Sequence, residues 1–189
     1  MRVIAGKAGS IPLKTLPSKA TRPTTDRIKE TLFNMIKNDV PGRRFLDLFA
    51  GSGGIGIEAL SRGASECVFV EKNKRAADII RDNLKATGLL ENALVVLEDC
   101  FSFLETNKKN SHSYDIIFMD PPYDHEFEKR TLTILSSSDM VSYSTTIIVE
   151  CSLNTDFPYA GELGFEIARI KKYKTNAHVF IKRKQGDES

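Results

Sequence analysis

The chain has 189 residues, enough for one α/β domain with a complete core and too few for two ordinary domains. Apolar residues make up 41% and charged residues 28%, which excludes a chain that is disordered throughout. No apolar run is long enough for a membrane helix or resembles a signal peptide, so we expect a cytoplasmic protein. The three cysteines are widely spaced and form no C-x-x-C pair, so we expect buried thiols and no metal site.

The first part of the chain, residues 1–43, predicts a basic arm or β-hairpin followed by a helix that Thr24 to Asp26 caps and that ends near Pro41. Residues 44–184 then alternate short apolar runs with helical patterns, and residues 185–189 form a polar tail. Predicted strands lie at 45–49, 67–70, 94–97, 115–119, 146–149, 165–173 and 178–182, and predicted helices at 54–62, 74–87 and 126–135.

Short apolar runs separated by helices are typical of parallel strands that are covered on both faces. The pattern therefore predicts an α/β fold with a doubly wound, mostly parallel seven-stranded sheet. The last two strands are joined by Lys174 to Asn176 and predict an antiparallel C-terminal hairpin. Residues 1–43 would be a small extension of this domain.

A glycine-rich motif follows the first predicted strand and opens a helix. Gly51, Gly53 and Gly56 fit G-x-G-x-x-G in this context, and Glu71 ends the next strand, where its carboxylate can accept the hydroxyls of a ribose. To this point a dinucleotide and an adenosyl cofactor fit equally well.

The acidic residue at the end of the first strand, Asp47, separates the two cofactors. A diphosphate at a helix N-terminus has no use for a carboxylate there, whereas the ammonium and sulfonium of S-adenosyl-L-methionine do. The alternative is that Asp47 only accepts hydrogen bonds from the local backbone. Asp99, after the third strand, can accept the adenine amino group, cap a helix, or do both.

A second motif, Asp120-Pro121-Pro122-Tyr123, follows the fourth predicted strand, at the edge where open α/β sheets bind ligands. An aromatic amine is a poor nucleophile because its lone pair is delocalised into the ring. The Asp120 carboxylate and the Pro121 carbonyl can accept hydrogen bonds from both N–H groups of the amine and so direct its lone pair at a methyl group. Pro122 stiffens the turn, and Tyr123 offers a ring face for an unstacked base. The alternative is a proline turn that only closes a strand.

Charge is unevenly distributed. Residues 1–44 carry ten Lys/Arg against three Asp/Glu and residues 165–184 carry seven against one, whereas residues 45–164 carry ten against nineteen. Such segments are either solvated faces or a surface for a polyanion. On the second interpretation, RNA-binding candidates are Arg43, Arg44, Lys171 and Lys172.

Residues 120–123, DPPY, match the motif of class I methyltransferases that act on exocyclic amines. The segments RPTTDR from Arg22 and DLFAGSGGIGIEALSRGA from Asp47 resemble the bacterial 16S rRNA (guanine(966)-N(2))-methyltransferase family, and the resemblance runs from Arg2 to about Lys182. It implies methylation of guanine N2 in 16S rRNA, within an assembling or assembled small ribosomal subunit. It places in the cofactor site Arg22, Thr24, Asp47, Phe49, Gly51, Gly53, Glu71 and Asp99, and in the amine site residues 120–123.

Three alternatives remain. The same chemistry could act on adenine N6 in DNA or RNA, although such DNA enzymes usually need a further recognition domain. A nicotinamide oxidoreductase would explain the glycines and Glu71 but not Asp47 or the proline motif. A non-catalytic RNA-binding module would have no need of Asp120 and Asp47.

Overall fold

The computed structural model describes residues 1–16, 26–109, 112–122 and 126–185. The chain folds into two compact units, residues 1–100 and 101–189.

The first unit combines a short N-terminal hairpin with a parallel β/α arrangement. Backbone hydrogen bonds join Val3 to Ile11 and Ser10, and Leu13 to Met1. Three strands follow, paired in parallel in the order β3-β2-β1. The elements are α1 (Asp26–Met35), β1 (Arg44–Asp47), α2 (Gly54–Ser61), β2 (Glu66–Glu71), α3 (Lys74–Thr87), a 3₁₀ turn (Leu90–Asn92) and β3 (Ala93–Leu97), after which α4 (Cys100–Asn107) begins.

Buried polar side chains fasten the N-terminal segment to the helices. The Glu58 carboxylate in α2 is fully buried and accepts hydrogen bonds from the backbone N–H groups of Ile4 and Ala5, at 2.7 and 3.1 Å. It also pairs with Lys29 of α1 at 3.3 Å and with Arg62 at 2.7 Å. A buried carboxylate with this many donors is stable only because each oxygen is satisfied, so the N-terminal hairpin is an integral part of this unit.

The second unit contains the remaining strands. β4 and β5 are parallel, and the strands β5, β7 and β6 are antiparallel neighbours in the order β4-β5-β7-β6. Its elements after α4 are β4 (Tyr114–Met119), α5 (Phe127–Ser136), β5 (Val141–Ser152), β6 (Phe165–Lys172) and β7 (Asn176–Arg183).

These strands confirm the predicted fold class, doubly wound and mostly parallel with an antiparallel C-terminal hairpin. The α3 helix has the predicted bounds and ends at Gly88, whose φ of 69° suits glycine. The cysteines are buried free thiols, as predicted. The division into residues 1–43, 44–184 and 185–189 stays a prediction.

Two local predictions were wrong, and one helix was missed. Helix α1 was predicted to end near Pro41, but it ends at Met35 and is followed by turns over residues 36–42. Helix α4 was not predicted, because its eight residues are too few to show a helical period of apolar residues. Strand β5 begins at Val141, earlier than predicted, because β4 supplies partners at Val141 and Thr146, on either side of polar residues that lack a strand-like pattern.

Candidate cofactor and amine-binding sites

The carboxylate of Asp47 lies at the carboxyl end of β1 and is 1% exposed. Its Oδ2 accepts a hydrogen bond from the Gly56 N–H at 3.3 Å, while its buried Oδ1 has no hydrogen-bond partner among the described residues. Burial raises the pKa of Asp47 to about 7; the Gly56 and Phe49 N–H groups lower it and the Glu71 charge raises it. A buried, incompletely satisfied carboxylate at this edge fits a cationic ligand group such as an ammonium.

Glu71 lies beside the glycine loop, as its spacing predicted. Its Oε2 accepts the Gly51 N–H at 2.8 Å and its Oε1 accepts the Asn73 N–H at 2.7 Å. Each carboxylate oxygen has a second lone pair, so the same side chain can also accept the two hydroxyls of a ribose. The fold thus brings Asp47, Gly51 and Glu71 together at the carboxyl ends of β1 and β2.

Two glycines of the motif differ in what they provide. Gly51 has a φ of 55°, is exposed, and has nothing within 4 Å of where a Cβ would lie, so its backbone is open to a ligand. Gly56 is buried in α2, where a Cβ would overlap the Phe69 ring and lie 2.6 Å from the Cys67 sulfur. Gly56 therefore permits the close packing of α2 on β2.

We expect Gly56→Ala to destabilise the protein by about 1–3 kcal/mol, the usual cost of overpacking a core. The sign of this change in stability is informative, because a Gly→Ala substitution inside a helix ordinarily stabilises a protein by roughly 0.5–1 kcal/mol. Denaturant unfolding measures the difference. The control is Gly161→Ala, where a Cβ would meet only the flexible end of Lys184 at 3.3 Å. Equal stability of the two variants would contradict this packing role.

The remaining predicted cofactor residues are less informative. Asp99 is exposed and immediately precedes α4, the position of a helix cap. Its contact with adenine stays a prediction. Phe49 is half-buried in the turn after β1. Arg22 and Thr24 lie outside the described residues.

The proline motif follows β4 directly. Asp120 is half-buried, Pro121 is buried and Pro122 is exposed, directly after the carboxyl end of the strand. Tyr123 lies outside the described residues. The position of Asp120 and Pro121 at a strand end is the one that the sequence predicted.

The four predicted RNA-binding residues occupy two different places. Arg43 and Arg44 lie at the amino end of β1, the opposite end from Asp47, and Arg44 pairs with Glu66 at 2.5 Å. Lys171 and Lys172 end β6 and pair with the beginning of β7, which in turn lies against the carboxyl end of β5. Because β4 and β5 are parallel, these lysines share a sheet edge with Asp120.

Sequence reasoning missed several buried polar residues. Glu150 and His178 lie side by side on β5 and β7, and Asn83 of α3 hydrogen-bonds Lys14 and Ser52. The available signals were an acid within the apolar run Ile147 to Cys151 and a histidine within the run Ala177 to Ile181. Across the described ranges, no group of three or more His, Cys, Asp or Glu could hold a metal ion, and no helix there is long and apolar enough to cross a membrane.

Comparison with known proteins identifies the family. Residues 1–182 match the family model described as Conserved hypothetical protein 95. Ribosomal RNA small subunit methyltransferase D of Escherichia coli K12 is 35% identical over 158 residues, 84% of this chain and 78% of that protein. Its Haemophilus influenzae namesake is 35% identical over 151 residues, 79% of this chain and 78% of that protein. The chain belongs to this methyltransferase family.

Solved structures agree with the assignment. An Escherichia coli structure described as a candidate methyltransferase is 31% identical, with a TM-score of 0.82 over 97% of both chains. The family and the enzyme class predicted from the sequence, a methyltransferase, are therefore confirmed.

Proposed function

We propose that this protein transfers a methyl group from S-adenosylmethionine to the exocyclic N2 of a guanine in small-subunit ribosomal RNA. The observation that carries the proposal is the pair of acceptors, Asp120 and Pro121, at the carboxyl end of β4 in a chain of this family. We further propose that it acts in the cytoplasm, on an assembling or assembled small subunit.

Unit 1 provides the cofactor site. S-adenosylmethionine supplies an electrophilic methyl group when bound. Asp47 offers the buried Oδ1 to its ammonium, and Glu71 accepts its ribose hydroxyls. Asp99 accepts the adenine amine, while Phe49, Gly51 and Gly53 border the cofactor and Arg22 and Thr24 bind its methionine end, as the family resemblance implies.

Unit 2 provides the amine site. The Asp120 carboxylate and the Pro121 carbonyl accept hydrogen bonds from the two N–H groups of the target amine. This arrangement directs the lone pair of the amine away from both acceptors. With S-adenosylmethionine bound as the methyl donor, Asp120 would stabilise the positive charge that develops on the nitrogen. The amine then releases one proton, for which Asp120 is the adjacent acceptor. Tyr123 stacks on the unpaired base.

The proposal is tested by incubating the protein with radiolabelled S-adenosylmethionine and, separately, small ribosomal subunits, naked 16S rRNA or duplex DNA. Digestion to nucleosides then identifies the product. N2-methylguanosine from either rRNA sample supports the proposal, and the comparison of the two samples identifies the substrate form. Labelled N6-methyladenosine would support the alternative target instead.

The basic residues of the β6 end should contribute to RNA affinity through phosphate contacts. Neutralising Lys171 and Lys172 together should flatten the slope of log affinity against log salt by roughly 1.4, if each contacts one phosphate of single-stranded RNA. Cofactor affinity should not change. Arg43 and Arg44 are predicted to act in the same way, and a separate double variant tests them.

The matched control for these variants is the pair Lys108 and Lys109, which follows α4 near the amino end of β4. Neutralising that pair should leave the salt slope unchanged. If the Lys171 and Lys172 variant and the control had equal slopes, the lysines at the β6 end would be ordinary solvated charges that do not contact RNA.

A further inference from the structure

A chain of hydrogen bonds runs through the second unit from the surface into its core. The Tyr173 hydroxyl lies 3.0 Å from Nδ1 of His178, and Nε2 of His178 lies 3.1 Å from Oε2 of Glu150. Asn176 donates to Oε1 of Glu150 at 2.5 Å. His178 is 0% exposed and Glu150 4%, whereas Tyr173 is half-buried at the end of β6.

This chain lies beside the amine motif. Met119 pairs with Val149, so the next residues along the two parallel strands, Asp120 and Glu150, are neighbours at the carboxyl edge. Glu150 pairs in turn with His178, and His178 with Lys171. Residues directly paired across strands point to the same face of a sheet, so a row of polar side chains extends from Asp120 across four strands.

Ring contacts reinforce the row. The His178 ring meets Phe118 and Tyr173 edge to face, with centroids 6.1 and 5.1 Å apart. Phe118 lies on β4 two residues before Asp120, and so on the face that contacts the His178 ring. The imidazole is thus fixed by two hydrogen bonds and two rings.

The location of this polar row is informative because burying it costs free energy. Elsewhere β5 and β7 pair apolar residues, as Ile147 with Ile181 and Ile148 with Phe180. Among the β5–β7 pairs, buried polar residues appear at the carboxyl end of β5, and the buried Oδ1 of Asn176 has no hydrogen-bond partner among the residues described. Departures from an apolar core are expected where function requires them.

We infer that Tyr173, fixed through His178 to Glu150, is a positioning residue for the target nucleotide. The hydrogen-bonded chain holds the turn between β6 and β7 at the edge where Asp120 receives the amine. Small errors in the placement of reacting groups lower rates strongly, which gives a rigid turn next to Asp120 a role in turnover. This inference rests on the proposed function.

The test compares Tyr173→Phe with Tyr143→Phe in the full-length protein, using the rRNA sample that is methylated best. Tyr143 is also on the second unit but is 65% exposed near the beginning of β5. We expect Tyr173→Phe to lower kcat about tenfold, with the KM for RNA, the cofactor Kd and the melting temperature equal to those of the control. In an Asp120→Asn background the additional loss should be much smaller, because both changes impair the same step, the placement of the amine.

Three kinetic results would overturn the inference. They are a kcat equal to that of Tyr143→Phe, a loss confined to the KM for RNA, and an equal loss in the Asp120→Asn background. A lower melting temperature with unchanged kcat per folded molecule would indicate a purely structural role and would also overturn it. Full activity of Asp120→Asn alone would instead refute the proposed function, so the two failures are distinguishable.

Discussion

Asp120→Asn is expected to lower the turnover of RNA methylation by about a hundredfold or more, the effect of removing a preorganised polar contact to developing charge. The aromatic amine is neutral before the reaction and gains positive charge as the N–C bond forms. A carboxylate at its side is therefore most valuable in the transition state. Asparagine keeps the shape and one acceptor, but it loses the charge and brings a competing donor.

Single-turnover assays with labelled cofactor measure this effect on the chemical step. Cofactor affinity, measured by calorimetry, should be unchanged because Asp47 and Glu71 are intact. Asp156→Asn is the matched control, since Asp156 is an exposed carboxylate in the same unit. Full activity of Asp120→Asn, with a normal pH profile, would mean that the amine site has been assigned wrongly.

Asp47→Asn is expected to weaken cofactor binding by about 1–3 kcal/mol, the usual range for a lost hydrogen bond to a charged group. The pH dependence is more specific. Because the pKa of Asp47 is raised to about 7, the carboxyl is protonated at lower pH and cannot pair with an ammonium. Affinity for S-adenosylmethionine should therefore rise with pH up to about 7 and level off, whereas the Asn variant should show a flat profile.

The same shift has the opposite consequence for the protein without ligand. A carboxyl with a raised pKa in the folded state binds its proton more tightly there than in the unfolded chain, where the pKa is 3.8. The contribution of Asp47 to the free energy of unfolding therefore falls as pH rises from about 4 to about 7. Above that range this contribution does not change further. Asp47→Asn should be as stable as the wild type at low pH and more stable near pH 8.

Thermal unfolding and calorimetry across this pH range test both statements. Asp39→Asn serves as the control because Asp39 is exposed in the same unit. A variant that is more stable but binds the cofactor poorly is the pattern expected when a binding site is maintained at a cost in stability. Wild-type affinity in Asp47→Asn, or tight binding of NAD by the wild type, would contradict the assigned role of Asp47.

The sequence by itself determined the fold class and the two motifs, because both depend on residues that are close along the chain. Apolar runs such as Cys67 to Val70 are core strands by composition alone, and Asp47, Gly51 and Gly53 lie within seven consecutive residues. Glu71 could be placed because parallel strands end at a common edge. The family resemblance rested on the same contiguous segments.

Tertiary structure decided which polar residues are buried and with what partners. Lys29 and Glu58 pair although they are far apart in the chain, and Glu150 meets His178 only through the pairing of β5 with β7. The start of β5 was likewise set by its neighbours. These features depend on long-range contacts that leave no periodic pattern in the sequence, and a buried charge differs from an exposed one only in the partners that the fold supplies.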